Sequence, residues 1–296
     1  MSSMSAGAGP STISGGLRPS PPPPTSLRST RPRYGEKAAL GFLVAAAGVS
    51  SITTIGSVLS LRIPALEFFR QVSVVEFLTG TSWTPRFAQK EYGVLPLVTG
   101  TLWTTAIALS LAIPIGLGAA IYLSEYASVR TRKIFKPTLE LLAGVPSVVY
   151  GLFAVVFVGP VVLNDWLGIE VQTFSVLSAG LVLGVMIIPT VASLAEDAMS
   201  AVPRALREAS YGLGANRMRT VLRVVFPAAT SGIAAAIVLG LSRAVGETMI
   251  VVLGAGAAAR MSLNPFEAMT TVTVKIVSQL TGDTDFSSPE TLVAFA

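Results

Sequence analysis

No cysteine and no histidine occur among the 296 residues. Disulfides, thiolate or imidazole metal sites, cysteine nucleophiles and histidine general bases are therefore excluded. No Gly-Lys pair occurs either, so the GxxxxGK[ST] loop that cradles nucleotide phosphates is missing. If ATP drives this protein, another chain binds it. Charge is scarce as well: 12% of residues are Asp, Glu, Lys or Arg, against about 25% in an ordinary soluble domain, while 51% are hydrophobic. No nucleophile, base and metal constellation suits a membrane enzyme. The net charge of +5 needs no nucleic-acid partner, because its distribution fits a membrane lipid setting.

What the chain has instead is long apolar runs. A hydrocarbon core of about 30 Å is crossed by about 20 helical residues, and five runs are long enough: Ala38–Leu61, Val94–Leu123, Leu139–Leu163, Phe174–Ala195 and Ala228–Ala257. The fold class expected is all-α and polytopic. Residues 1–37 carry Pro21–Pro24, many Ser and Gly and five cations, and read as a disordered tail. They lack the short apolar core of a signal peptide.

The 21 Lys and Arg gather on alternate connections. Five lie in the tail, four in Ser124–Pro137 and five in Glu196–Arg223, whereas the connections between these hold four, none and two. The positive-inside rule makes the richer connections and the amino terminus cytoplasmic. Residues 62–93 are then external, with Phe68, Val72 and Val75 at the spacing of an interfacial helix, or an ordinary structured loop. Lys275, Asp283, Asp285 and Glu290 fall on the same side and are candidates to meet a substrate-delivering protein. A further apolar stretch begins at Leu292–Ala296, which suggests a sixth, truncated helix.

Two features carry chemistry. The first is the loop 196–227. A short helix is predicted after Pro203, broken at Gly212 and Gly214, with a second helical segment from Asn216; it is either a surface knob or a charged loop between spans. The second is Arg243 and Glu247, two charges in the otherwise uncharged run Val224–Ala259. Each costs about 2.5–3.5 kcal/mol at the centre of a spanning helix. Four residues apart on one helix, they would partly neutralise each other. At 100° per residue they fall in the stripe of Gly232, Ala236, Gly240 and Ala244, a small-residue face suited to close packing. Two readings stay open: a structural pair that fixes helix packing, or an oxyanion site in which the Arg243 fork meets the substrate and Glu247 keeps the empty site nearly neutral. Elsewhere Pro114, Pro146 and Pro189 interrupt apolar runs, with Gly144 and Gly151 flanking Pro146, so Gly144, Pro146 and Pro189 are candidates for a gate. Thr99, Thr101, Thr104 and Thr105 either face a path or bond back to their own helix.

The stretch Glu208-Ala209-Ser210, then Gly214, then Val224-Val225-Phe226-Pro227 resembles the EAA loop of bacterial ABC importer permeases, EAA-x3-G-x9-I-x-L-P. Ser210 stands for the second Ala, Val224 for Ile and Phe226 for Leu. Leu139-Glu140-Leu141-Leu142-Ala143-Gly144-Val145-Pro146-Ser147-Val148-Val149-Tyr150-Gly151, Met186-Ile187-Ile188-Pro189-Thr190, Glu196-Asp197-Ala198 and Ser242-Arg243-Ala244-Val245-Gly246-Glu247-Thr248-Met249 look like the phosphate importer permease of the PstC type. The resemblance runs from about Leu95 to Ala257; the proline-rich tail is no part of it.

The resemblance implies an ABC importer type I (MetI-like) permease fold over residues 94–296, in an inner membrane. It implies that Glu208, Ala209, Gly214 and Pro227 belong to a loop that couples to an ATPase, and that Arg243 and Glu247 matter for translocation. It also implies the partners: a second permease subunit of the PstA type, a PstB-type ATPase dimer that binds ATP and Mg, and a PstS-type phosphate-binding protein. The activity expected is import of phosphate by alternating access, without catalysis by this chain. Rival readings are a permease for molybdate, sulfate or phosphonate, and an ion-coupled transporter in which Glu247 relays protons. The latter class shows repeated halves, and no second copy of the Arg-x3-Glu pair or of the Pro203–Pro227 loop is present.

Overall fold

A computed structural model of the chain describes residues 34–85, 87–281 and 288–296. The tail reading for residues 1–33, and Asp283 and Asp285, lie outside these. The chain divides into two units, 1–56 and 57–296. The first helix, α1 (Tyr34–Gln71), runs without interruption through Pro64. The predicted first span and the interfacial segment after Leu61 are thus one helix, followed by the short α2 (Val74–Thr79). Within the larger unit Phe68 is fully buried, with edge-on rings from Phe77 and Tyr92 at 5.7 and 5.4 Å. Trp83, Leu97, Leu292 and Val293 complete this cluster. Val75 by contrast is exposed.

The bundle is built from α3 (Leu95–Ile121), extended by wide π-type turns over Tyr122–Tyr126, and α6 (Val176–Ser200). Between them lie α4 (Val129–Ala143), α5 (Ser147–Phe153) and π-type turns over Ala154–Trp166. After α6 come α7 (Arg204–Gly212), α8 (Arg217–Thr220), further wide turns over Val221–Val225, α9 (Phe226–Ala228) and α10 (Thr230–Gly246). Then follow α11 (Met249–Gly254), α12 (Val272–Leu280) and α13 (Pro289–Leu292). Among the described residues, four helical stretches are long and apolar enough to cross a membrane: 35–71, 95–126, 147–166 and 176–200. A fifth span arises if the pair 217–228 and 230–246, bent by 72°, is taken as one. Among the described residues there is one isolated bridge, Trp83–Tyr92, and no strand. The protein is an all-α, polytopic membrane protein.

Three prolines behave in two ways. Pro114 and Pro189 sit inside α3 and α6 without ending them. Pro146 does end a helix: α4 stops at Ala143, and the third span starts at Ser147 rather than the predicted Leu139. Proline has no N–H to give to the preceding turn and crowds its carbonyl, and the neighbouring Gly144 adds no helical preference to oppose the break.

Close approach of backbones fixes the packing of α6. A Cβ on Gly184 would lie 2.8 Å from the Ala108 carbonyl oxygen, and one on Gly180 2.8 Å from the Ile107 side chain. Gly116 meets Val191, and Gly240 of α10 meets Val191 and Ile187 on the same face. Lipid tails are as apolar as leucine, so such helices hold together by contact and shape rather than by burial from water. The stripe Ala236, Gly240 and Ala244 is buried accordingly, while Val238, Leu241 and Val245 are exposed. Gly184→Val forces α3 and α6 apart and costs about 1–3 kcal/mol by overpacking, whereas Gly118→Val enters open space. Thermal unfolding of the purified chain in detergent should therefore show a lower midpoint for Gly184→Val and an unchanged one for Gly118→Val.

Candidate functional site

The predicted continuous helix Ala228–Ala257 does not form. α10 ends at Gly246, and Glu247 is extended, with φ −72° and ψ 130°. This separates the two charges that one helical turn would have joined. No Arg243–Glu247 ion pair is present among the described residues. Glu247 instead turns its carboxylate onto the first turn of α11, where Oε1 accepts from the Met249 and Ile250 amides at 3.0 and 3.2 Å. Those amides have no partner within their own helix, and an anion suits that end of the helix dipole. The Glu247 carbonyl also accepts from Thr273 Oγ1 at 3.0 Å, which ties the break to α12.

Arg243, freed from Glu247, meets neutral groups. Nη1 donates to Thr190 Oγ1 at 3.0 Å and Nη2 to the Ala143 carbonyl at 3.3 Å. One guanidinium thus joins α10, the turn of α6 after Pro189, and the last residue of α4 before Gly144 and Pro146. The sequence-predicted residues Arg243, Pro189, Gly144 and Pro146 come together here; Glu247 faces α11. Gly151 proves to be a contact rather than a loosening element, because a Cβ there would lie 2.9 Å from the Met249 carbonyl oxygen.

The loop after α6 forms the knob anticipated from Pro203, Gly212 and Gly214. Gly214 has φ +82°, a conformation that favours glycine. The Ala215 amide donates to Ser210 O at 3.2 Å and the Gly214 amide to Tyr211 O at 2.9 Å, the paired closure that satisfies a helix end. Asn216 caps α8, accepting from the Arg219 amide at 2.9 Å. Ser210, the departure from Ala in the motif, shares a 2.9 Å hydrogen bond with buried Thr220 and so ties α7 to α8. Glu208, Ala209 and Pro227 are exposed. A cavity of about 350 Å³ opens beside α7, lined by Glu125, Arg204, Arg207, Glu208 and Arg217 among others.

Two ion-pair groups lie at this end, and although Glu196 and Asp197 belong to a stretch that carries the resemblance, the pairing itself was not anticipated in the sequence. Arg207 meets Glu125, and Glu196, 1% exposed, meets both Arg132 and Lys136 of α4 and the Ser200 hydroxyl. Lys136 also bonds Asp197. The available signal was cation spacing: Arg132 and Lys136 lie one turn apart, as the acceptors Glu196 and Ser200 do. Of the threonines on α3, Thr99, Thr101 and Thr104 bond back to carbonyls four residues earlier at 2.8 Å, and Thr105 Oγ1 is buried without a partner. At the opposite end Lys275 donates to the Ala257 carbonyl at 3.1 Å, and Glu290 pairs with Lys90.

A helical membrane protein with buried ion pairs beside an exposed helical loop and an arginine at a helix break among its spans is what fold and site define. The chain belongs to the family of binding-protein-dependent transport system inner membrane components, whose model matches residues 112–271. It is 35% identical to the probable ABC transporter permease protein YqgH of Bacillus subtilis, over 84% of this chain and 80% of that one. It is 38% identical to the phosphate transport system permease protein PstC 1 of Mycobacterium tuberculosis, over 70% of each. Among solved structures, a chain from the inward-facing MetNI methionine ABC transporter matches with a TM-score of 0.43 and 23% identity, over 56% of this chain and 74% of that one.

The Lys90–Glu290 pair gives a pH signature. The hydrogen bond from Lys90 holds the Glu290 carboxyl below its ordinary range, and the same bond raises the Lys90 ammonium. A lowered carboxyl stabilises above its unfolded pKa and loses this as pH falls through the folded value; a raised ammonium stabilises below its unfolded pKa and loses this as pH rises through the folded one. The tether is therefore whole between about pH 5 and about pH 9.5. Hydrogen exchange of the Thr291–Val293 amides, corrected for intrinsic rates, should show protection falling at acid pH, with the step absent in Glu290→Gln.

Proposed function

We propose that this chain is a permease subunit of an ATP-driven phosphate importer, carrying inorganic phosphate from an external binding protein into the cytoplasm. Its amino terminus is cytoplasmic, as the distribution of Lys and Arg favours. A second permease subunit of the PstA type stands beside it, two PstB-type ATPase copies bind ATP and Mg below it, and a PstS-type protein delivers phosphate from outside. The chain itself performs no catalysis.

The observation that carries this reading is the neutral company of Arg243. Its guanidinium touches a hydroxyl and a carbonyl and, among the described residues, no carboxylate. Phosphate oxygens offer the same acceptor geometry with negative charge, and charge-assisted hydrogen bonds of a planar fork are roughly twice as strong as neutral ones. An arriving phosphate can therefore displace Thr190 and the Ala143 carbonyl, and these groups take the guanidinium back when phosphate leaves. Glu247 lies four residues on and lowers the local positive potential without occupying the fork, which keeps binding weak enough for release. Ala143 stands before the Gly144–Pro146 break, so the exchange takes place at the hinge where a gate between α4 and α5 would bend.

The exposed knob supports the other half of the mechanism. Glu208 and Ala209 on α7 offer a carboxylate and a small contact surface to the ATPase, Gly214 closes the helix that presents them, and Pro227 marks the bend into α10. Closure of the ATPases draws the knobs together and opens the helices outward; hydrolysis reverses this and phosphate moves inward.

The test is phosphate uptake in proteoliposomes holding all four kinds of subunit. Arg243→Gln should lower uptake about 10- to 100-fold, the loss of one or two charge-assisted hydrogen bonds, with assembly and basal ATP hydrolysis kept. Sulfate, molybdate and phosphonate should compete poorly for the wild-type transporter. Normal uptake by Arg243→Gln, or stronger uptake of another oxyanion, contradicts the proposal.

A further inference from the structure

α7 has no buried residue, yet it is attached to the ends of two spans. Its chain connection to α6 runs through Ala201–Pro203 alone, and a single connection is a hinge: it passes on a pull but lets the helix pivot. α7 also packs on the wide turns over Val221–Val225 that lead toward α10; a side-chain attachment to α3 and α6 makes the connection to those two spans a lever, and one residue supplies it. Arg207 donates from Nε and Nη2 to Glu125 Oε1 at 3.1 and 2.8 Å, from Nη2 to the Met199 carbonyl at 2.8 Å, and from Nη1 to the Val202 carbonyl at 2.5 Å. Glu125 is 8% exposed and sits on the wide turns that prolong α3. Met199 is on the last turn of α6 and is fully buried. The Ser210–Thr220 hydrogen bond reaches only α8 and stays within the loop.

Both receiving helices lead to places that matter. α3 is 27 residues long and, at about 1.5 Å per residue, reaches across a bilayer. At its far end the Thr101 hydroxyl accepts from the Val272 amide at 3.2 Å, at the start of α12. α6 carries Thr190, one of the two groups that hold Arg243.

We propose that Arg207 and Glu125 form the strut through which displacement of α7 is passed to α3 and α6, and so are positioning residues for ATP-driven transport. This rests on the reading of α7 as the ATPase-coupled element. Arginine suits the task because its planar fork keeps several donors in fixed directions, which a lysine ammonium does not. Rotation of α7 about the Ala201–Pro203 hinge must then move α3 against α6, because Arg207 is bonded to both. Without the strut, the ATPase still moves α7, and the motion reaches α10 through the loop but no longer drives α3 against α6.

Phosphate imported per ATP hydrolysed, normalised to assembled complexes in proteoliposomes, tests this. Arg207→Gln and Glu125→Gln should each lower that ratio about 10-fold, within the usual range for coupling between sites. The double variant Glu125→Gln/Arg207→Gln leaves no buried charge unpaired, so it keeps the fold when a single variant does not. Its ratio should be no worse than that of either single variant, because all three break one contact. A wild-type ratio in the assembled variants overturns the strut. So do losses that multiply in the double variant, or a defect confined to the amount of complex assembled. A wild-type complex that imports no phosphate overturns the proposed function, and the strut with it.

Discussion

Charge in an apolar bundle persists only where another group or a break in the backbone receives it, because leaving it to lipid or to a dry interior costs several kcal/mol. That constraint arranges the chain. Glu196 is nearly inaccessible and is met by two cations and a hydroxyl. Glu125 is met by Arg207, and Glu247 by two amides at the start of α11. Arg243 is the contrasting case, since its acceptors are neutral. The cation is hydrogen-bonded well enough to be held and not so strongly that an anion is barred from displacing its partners.

α6 is the element on which these arrangements converge. Glycines and alanines let α3 and α10 approach it closely, Thr190 reaches Arg243 in its middle, and its end carries Glu196 and the Met199 carbonyl. α4 is held at both of its ends by the same frame. Arg132 and Lys136 fix its beginning to α6, and the Ala143 carbonyl fixes its tip to Arg243. In the proposed exchange, replacing the Ala143 carbonyl by a phosphate oxygen would free one end of α4 while Arg132 and Lys136 stay anchored to α6.

Much of this was legible in the sequence because it depends on local rules. The long apolar runs gave the helical spans, the small-residue stripe of α10 gave the face that packs, and Pro203, Gly212 and Gly214 gave the knob. The break at Glu247 was not legible. A periodic pattern continues through Ala244, Ile250 and Val251, and only the competition between helix continuation and the capping of α11 by Glu247 decides against one helix. Nor were the partners of Glu125 and Glu196, which come from residues 82 and 60 to 64 positions away. Proline alone was an ambiguous signal: Pro146, beside a glycine, ends a helix, while Pro114 and Pro189 are carried inside packed ones.

The central claim is that Arg243, kept apart from Glu247 by the end of α10, is the group that phosphate meets on its way through. The most direct measurement is the structure of the assembled transporter with phosphate trapped inside, read at the distance from the phosphate oxygens to the Arg243 guanidinium. The account predicts oxygens within hydrogen-bonding reach of Arg243, with Thr190 or the Ala143 carbonyl displaced and Glu247 still on α11. Phosphate held elsewhere, with Arg243 bound to Glu247 or unmoved from Thr190 and Ala143, would contradict it.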